Sequence, residues 1–254
     1  MANHPKADTP QVVGRAEELA SIEECVFGAV SGLPRFLLLE GPPGIGKSVL
    51  LSAAAEAAAG AGARVLRAWA NAGESDLPLG VAGQLFELAV DGGSEEERRA
   101  WLRGPAGAAV GILNIDSRGV LPSSECLAGH GTSHALYWLS ANAARHLPLV
   151  LVIDDLQWAD AESLRWLIHL SGRMKRLPLT VVAALSADVP TSTAWLIGLL
   201  SASVERLPLS GLDVAAVAQL VTGRTGVPPT EGLAARLVAE TGGNPLLLND
   251  VLRA

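Results

Sequence analysis

The sequence has few of the residues that build disulfide frameworks, cysteine-ligated metal sites and polybasic surfaces. Its 254 residues include 2 cysteines, Cys25 and Cys126, which is too few for a disulfide framework or a zinc quartet. Lysine occurs only at positions 6, 47 and 175, and the formal net charge is −7. A broad nucleic-acid-binding surface normally needs a basic stripe, so this charge balance argues against one.

Long hydrophobic runs are also missing. The apolar segments 36–39 and 147–153 are far shorter than the roughly 18 residues that a membrane-spanning helix needs. The first 15 residues contain no apolar stretch of the kind found in secretory signal peptides. Hydrophobic residues still make up 49% of the chain, which is enough for a sizeable buried core. We therefore expect a soluble, cytoplasmic protein with no membrane partner.

Apolar runs alternate with helical periodicity as far as residue 209. Leu-Pro-Leu recurs at 147–149, 177–179 and 207–209, which fits strand–helix units of about 30 residues. Continuous β-branched runs follow the first two copies and are typical of central parallel strands; we expect a weaker strand after the third copy. Further strands are predicted at 36–39 and 63–70, and helices at 15–30, 48–59, 79–90, 94–102 and 132–145.

Two regions depart from this alternation. Residues 103–131 have no clear period, which indicates either a functional insertion or a mobile loop. Beyond residue 211 only helical periodicity is found, at 213–224, 231–241 and 245–252. We therefore predict two domains, an α/β domain over residues 1–209 and a small, truncated helical subdomain over residues 210–254.

Residues 41–48, Gly-Pro-Pro-Gly-Ile-Gly-Lys-Ser, match the phosphate-binding pattern G-x-x-x-x-G-K-[ST] between a predicted strand and a predicted helix. Glycines let successive backbone N–H groups curl around a phosphate, and the helix N-terminus adds partial positive charge. Lys47 is expected to reach the β- and γ-phosphates, and Ser48 to ligate Mg²⁺. The residues expected to bind ATP or ADP here are Gly41, Pro42, Pro43, Gly44, Ile45, Gly46, Lys47, Ser48 and Val49.

A second motif consists of the strand predicted at 149–153 and the two carboxylates that follow it, Asp154 and Asp155. Two carboxylates at the end of a buried strand are costly unless they meet a cation or solvent. Asp154 is expected to hold Mg²⁺, and Asp155 to orient or deprotonate an attacking water, which makes Asp155 and Lys47 the expected catalytic residues. Taken alone, such a segment is also compatible with a strand that runs into a polar turn.

Four motifs in order resemble the STAND class of AAA-related ATPases. They are Val-Gly-Arg-Ala-Glu-Glu-Leu at 13–19, the glycine-rich loop at 41–48, Leu-Val-Ile-Asp-Asp-Leu-Gln-Trp-Ala-Asp at 151–160, and Gly-Asn-Pro-Leu at 243–246. The resemblance covers about residues 12–252. It is closest to the ATPase region of the large ATP-binding LuxR-type transcriptional regulators of actinobacteria.

The resemblance implies an α/β P-loop NTPase fold, with a parallel sheet of order 5-1-4-3-2 and helices on both faces. It places Val13 and Gly14 in an adenine pocket with Arg15 nearby, and Gly243 and Pro245 in a turn that contacts the nucleotide. It also implies a switch that binds Mg·ATP or Mg·ADP, hydrolyses ATP slowly, and opens on effector binding and nucleotide exchange. A DNA-binding region is expected C-terminal to this chain in a full-length regulator.

Other readings stay open. Many relatives carry an arginine after the fourth strand, whereas residues 183–188 have none, which favours a nucleotide-binding scaffold without turnover. A DNA-loading AAA+ ATPase that works as a ring is a third possibility, which the acidic charge balance disfavours. No segment offers a recognition helix, so we expect a monomer without specific DNA binding, either an excised fragment or a truncated relative.

Several remaining side chains are expected to be structural. Asp160 and Glu162 are expected to cap the following helix. Trp158 is expected to buttress the loop after Asp155. The tryptophans expected to pack in the core or in grooves are Trp69, Trp101, Trp138, Trp166 and Trp195.

Overall fold

The computed structural model describes residues 12–113, residue 115 and residues 130–253. The strands are β1 Phe36–Glu40, β2 Arg64–Trp69, β3 Leu149–Asp154, β4 Leu179–Leu185 and β5 Glu205–Pro208. The α-helices are α1 Ala16–Val30, α2 Lys47–Gly60, α3 Gly80–Asp91, α4 Glu95–Trp101, α5 Ala109–Ile112, α6 His130–Ala143, α7 Ala161–Ser171, α8 Ala194–Ser203, α9 Val214–Thr225, α10 Leu233–Thr241 and α11 Pro245–Val251.

The five strands form one parallel sheet in the order β2-β3-β4-β1-β5. This is the predicted order 5-1-4-3-2, and the α/β P-loop NTPase fold class is confirmed. The continuous apolar runs of β1, β3 and β4 have the central places because helices cover both faces of a parallel sheet. All 7 residues of β4 are buried. The arrangement brings the carboxyl ends of β1, β3 and β4 to one edge of the sheet.

Alternate residues of each strand enter two different layers of the core. Leu38 of β1 joins a cluster that contains Phe86 of α3 and Trp166 of α7. Its neighbours Leu37 and Leu39 point the other way, into a cluster built with α1 and α2. Successive side chains of a strand point to opposite faces, so one short run anchors helices on both sides of the sheet.

The third Leu-Pro-Leu copy behaves differently from the prediction. Pro148 and Pro178 immediately precede β3 and β4, as expected, but β5 covers Glu205–Pro208 and so ends at the proline instead of following it. The reason is position: within the described part of the chain, β5 is an edge strand whose one partner is β1. Proline has no N–H to donate, and this is tolerated at such an edge because one side of the strand faces no partner strand that would accept the hydrogen bond.

Residues 103–131 are expected to be either a functional insertion or a mobile loop, and the mobile loop is wrong for the first part of this stretch. Residues 104–108 form a 3₁₀ turn that continues into α5, and both pack against α6. Ala106 and Ala109 are fully buried, and Leu113 is 2% exposed. Small residues allow this close approach, so the stretch belongs to the core. Apart from residue 115, positions 114–129 lie outside the described residues.

The helices α9, α10 and α11 bury an apolar cluster of their own, which includes Leu212, Val217, Leu237 and Leu248. Val13, which precedes α1 in the chain, also packs against this cluster. No helix within the described ranges is both long enough and apolar enough to cross a membrane.

The tryptophans divide into three groups. Trp101 and Trp166 are buried in the core, as predicted, and Trp138 and Trp158 are half-buried and pack against it. Trp69 and Trp195 are 65% and 57% exposed, so neither is a core residue, and Trp69 lines a groove. Trp69 is the last residue of the edge strand β2, where a side chain has no neighbouring strand to cover it.

Candidate functional site

A cavity of about 500 Å³ lies at the carboxyl ends of β3 and β4, against the glycine-rich loop. Four segments of the chain that are distant in sequence meet there: the glycine-rich loop, the turn after β3, the turn after β4, and α11. The lining residues are Pro43, Gly44, Gly46, Lys47, Ser48, Val49, Asp155, Gln157, Trp158, Ser186, Asp188, Pro245, Leu246 and Asn249. The cavity therefore brings together residues from three of the four sequence motifs.

Other predicted residues lie outside this lining. Asp154 lines a neighbouring cavity of about 350 Å³ together with Trp69. Gly14 lies against Ala216 of α9, Arg15 donates to Ile45 O in the glycine-rich loop, and Val13 packs against the apolar cluster of the C-terminal helices. Open sheets of this kind bind ligands beyond the carboxyl ends of their strands, which is where the 500 Å³ cavity lies.

The glycine-rich loop has a backbone that only glycine adopts easily. Gly44 has φ of 78° and Gly46 has φ of 104°, both in the left-handed region. Gly46 is also the N-cap of α2 and has no side chain to satisfy the first N–H groups of that helix. Those groups are consequently available to an anion at the helix N-terminus.

Lys47 is nearly buried, with 6% of its surface exposed. Its Nζ donates hydrogen bonds to the carbonyl oxygens of Gly41 and Pro42, at 2.8 and 2.9 Å. Burial lowers the pKa of Lys47, and the charges of Asp155 and Asp154 partly counteract this. The ammonium group is thus held by carbonyl dipoles in a partly desolvated place, where a phosphate would be a stronger partner.

The next carbonyls of the loop accept hydrogen bonds from outside it. The side chain of Asn244 donates to Pro43 O at 2.9 Å. The backbone N–H of Leu246 donates to Gly44 O at 3.2 Å. Both donors belong to the turn at the start of α11, so the helical end of the chain contacts the glycine-rich loop directly. With its carbonyls satisfied on the outside, the loop can present its amides to the cavity.

Arg15 also connects the glycine-rich loop to a distant part of the chain. Its guanidinium is 5% exposed and donates to Ile45 O at 3.1 Å and to Ser210 O at 2.6 Å, while Glu18 forms an ion pair with it at 2.7 Å. Arg15 therefore braces the glycine-rich loop against the segment that leads into α9. The adjoining Gly14 has φ of 68°, and a Cβ there would collide with Ala216 of α9. A contact of Val13, Gly14 or Arg15 with adenine stays a prediction.

Asp154 and Asp155 end β3 in different environments. Asp154 Oδ1 accepts from the backbone N–H of Asp155 at 2.9 Å. Asp155 has φ of 52° and ψ of 41°, an unusual conformation for a residue other than glycine. Its two carboxylate oxygens accept from Trp69 Nε1 at 2.9 Å and from Gln157 Nε2 at 2.8 Å. This left-handed turn separates Asp155, which lines the larger cavity, from Asp154, which lines the smaller one.

Sequence reasoning missed three residues of this site: Trp69, Gln157 and Asn244. Gln157 and Asn244 lie inside motifs that the sequence does show, but the roles of their side chains depend on partners elsewhere. The predicted cap is confirmed for Asp160, which accepts from the N–H of Ser163 at 2.9 Å. The carboxylate of Asp160 also accepts from the N–H of Leu79 at 2.8 Å and so links α7 to the start of α3. The prediction is wrong for Glu162, which lies in the first turn of α7 and accepts from Arg165 at 2.5 Å.

Comparison with known proteins gives one family and several similar folds. Residues 11–182 match the family described as AAA ATPase domain. The ORC1 protein of Aeropyrum pernix in complex with DNA superposes with a TM-score of 0.53 at 16% identity, over 96% of this chain and 60% of that one. AMPPCP-bound DnaA from Aquifex aeolicus gives a TM-score of 0.55 at 14% identity, over 98% and 65%.

A third similar structure is the HORMA:CdnC:Trip13 complex of E. coli MS115-1, with a TM-score of 0.51 at 14% identity, over 95% of this chain and 79% of that one. At identities this low, the similarity shows that the fold is shared, and it does not show that an activity is shared. The chain spans less than two thirds of the length of ORC1 and DnaA. A search of curated proteins gave no match.

Proposed function

This chain belongs to the AAA ATPase domain family, and we propose that it binds Mg·ATP and Mg·ADP. We also propose that it slowly hydrolyses ATP. In this proposal it is the nucleotide-switch module of a LuxR-type transcriptional regulator. Residues 1–209 bind the nucleotide, and residues 210–254 form the helical subdomain that responds to it.

One observation carries the switch proposal: α11 contacts the loop that would hold the phosphates. Asn244 and Leu246 donate to carbonyls of Pro43 and Gly44, and Pro245 lines the same cavity as Lys47. A ligand shifts an equilibrium between two conformations only through contacts that differ between them. A nucleotide in this cavity would touch both parts of the chain and could therefore bias how they are arranged.

The residues present suit a magnesium nucleotide. Ser48 lines the larger cavity and offers an oxygen ligand, which Mg²⁺ prefers, and Lys47 offers a cation to the phosphates. Asp154 lines the smaller cavity, but its charge acts on Lys47 together with that of Asp155, so in this proposal it holds Mg²⁺ directly or through a water. Mg²⁺ bound with the nucleotide would neutralise phosphate charge. Asp155 lines the cavity next to Lys47 and would orient or deprotonate the attacking water.

Two variants test this proposal on the purified chain. Lys47→Ala should bind Mg·ADP at least about tenfold more weakly in calorimetry, because the phosphates lose a charge-assisted partner. Asp155→Asn should bind Mg·ATP like the parent but release phosphate far more slowly over multiple turnovers. Unchanged affinity in the first variant would refute the phosphate site, and unchanged turnover in the second would refute the role of Asp155.

The role in a transcriptional regulator has a separate test. The coding sequence beyond residue 254 should encode a helix-turn-helix region. A parent reading frame without any DNA-binding region would refute this part of the proposal and leave nucleotide binding untouched.

A nucleotide-binding scaffold without turnover is the second candidate. Among the described lining residues, Lys47 is the one cation, and the positions after β4 that reach the cavity are Ser186 and Asp188. An arginine there would stabilise charge on the γ-phosphate as it is transferred. Nucleotide binding without measurable phosphate release by the parent chain would favour this candidate.

A further inference from the structure

Gln157 is a buried polar residue of the cavity wall to which the proposed chemistry assigns no role. Its surface is 3% exposed. Its Nε2 donates to Asp155 Oδ1 at 2.8 Å, and its Oε1 accepts from the backbone N–H of Ser186 at 3.0 Å. The amide therefore bridges the turn after β3 and the residue that follows β4.

The chemistry of the two partners fixes the orientation of this amide. A backbone N–H can only donate, so the oxygen of Gln157 must face Ser186. An ionised carboxylate can only accept, so the nitrogen must face Asp155. A side chain at position 157 must therefore offer one donor and one acceptor with the reach of glutamine.

Asp155 needs such a support. Its backbone is in the left-handed region, which is unfavourable for a residue other than glycine. The second donor to its carboxylate, Trp69, is 65% exposed and lies on the edge strand β2. Each carboxylate oxygen accepts one of these bonds and keeps a second lone pair with which it could accept from a water.

We propose that Gln157 is the residue that positions the carboxylate of Asp155 for the attacking water and ties its orientation to Ser186 at the end of β4. This inference rests on the proposed ATP hydrolysis. Ser186 and Asp155 both line the cavity, so a nucleotide that displaces the end of β4 displaces the carboxylate with it.

Three variants at this position separate the two hydrogen bonds. Gln157→Leu removes both, and Gln157→Glu keeps the acceptor for Ser186 but loses the donor to Asp155. Both should lower kcat for ATP by about tenfold to a hundredfold, the range expected when a reacting group is misplaced, with far smaller changes in KM. Gln157→His should recover much of the lost kcat, because neutral imidazole offers one donor and one acceptor.

Gln219→Glu is the matched control. It makes the same amide-to-carboxylate change at an exposed position of α9, which is not among the residues that line either cavity. The added charge is the same but neither hydrogen bond of Gln157 is lost, so kcat should equal that of the parent. A loss of kcat in Gln219→Glu as large as in Gln157→Glu would show a general effect of added charge and overturn the proposal.

A second readout does not depend on turnover. Trp69 Nε1 donates to the same carboxylate as Gln157, so the NMR resonance of its indole N–H reports how that carboxylate is held. The resonance, assigned with Trp69→Phe, should shift in Gln157→Leu and Gln157→Glu and return toward the parent position in Gln157→His. If it stays in place in all three variants, Gln157 does not position Asp155.

The two proposals can fail separately. A parent chain that releases no phosphate refutes hydrolysis, and the indole resonance then decides alone whether Gln157 positions Asp155. A parent that hydrolyses ATP while Gln157→Leu and Gln157→Glu keep its kcat refutes the positioning role and leaves hydrolysis standing. Because Gln157→Glu and Gln157→His are close in size to glutamine, the test survives a failure of Gln157→Leu to fold.

Discussion

Replacing Gly44 with alanine should undock α11 from the glycine-rich loop. A Cβ at Gly44 would stand 2.6 Å from Leu246 Cβ and 2.9 Å from Asn244 Oδ1, which is too close for either atom to stay in place. The turn that carries these residues would have to move away, and its hydrogen bonds to Pro43 O and Gly44 O would break. The collision involves a Cβ and the side chain that caps α11, so a rotamer change alone does not relieve it.

The magnitude has two parts. Gly44 has φ of 78°, and alanine in the left-handed region costs about 1 to 2 kcal/mol. Two lost hydrogen bonds add about 1 to 3 kcal/mol. We therefore expect the free energy of unfolding to fall by about 2 to 5 kcal/mol in Gly44→Ala.

Gly62→Ala isolates the first part. Gly62 has φ of 77°, almost the same as Gly44, but a Cβ there would meet nothing within 4 Å. This control should lose only the backbone contribution of about 1 to 2 kcal/mol. Urea denaturation measures both variants, and hydrogen exchange measures protection of the amides at 244–251.

Gly44→Ala should be less stable than Gly62→Ala and should expose the amides at 244–251 to exchange in the absence of nucleotide. Equal stability of the two variants, with unchanged protection at 244–251, would mean that α11 is not held by the glycine-rich loop. The observation that supports the switch proposal would then be lost.

Two other predictions concern pH and partners. Burial lowers the pKa of His169, with smaller contributions from Arg173 and His134, so the unfolded chain binds more protons once the pH falls below about 6.5. As the pH falls below that value, the free energy of unfolding of the parent should decrease faster than that of His169→Gln. Urea denaturation at several pH values between about 5 and 8 measures this difference, and identical pH profiles of the two proteins would contradict the prediction. The isolated chain should sediment as a monomer. It should also show no sequence-specific DNA binding in fluorescence anisotropy, because its net charge of −7 repels the DNA backbone. Tight, specific binding would instead favour a DNA-loading ATPase.

The sequence alone determined the local elements and the phosphate motif. Apolar runs at 36–39 and 149–153 predict buried strands because continuous hydrophobicity suits a strand covered on both faces. Glycine spacing at 41–48 predicts the tight turn because few other residues adopt positive φ. Both signals depend on residues that are neighbours in the chain. The sheet order came from the family resemblance and agrees with the structure.

The contacts that hold the site together depend on the packed fold. Asn244 and Pro43 are 201 positions apart, and Trp69 and Asp155 are 86 apart, so no local pattern pairs them. The family resemblance implies that Arg15 lies near adenine, which stays a prediction, and only the fold shows that its guanidinium donates to two backbone carbonyls. A hydrogen bond depends on direction and distance within a few tenths of an ångström, and those are set when helices and strands pack, not by the period of the sequence.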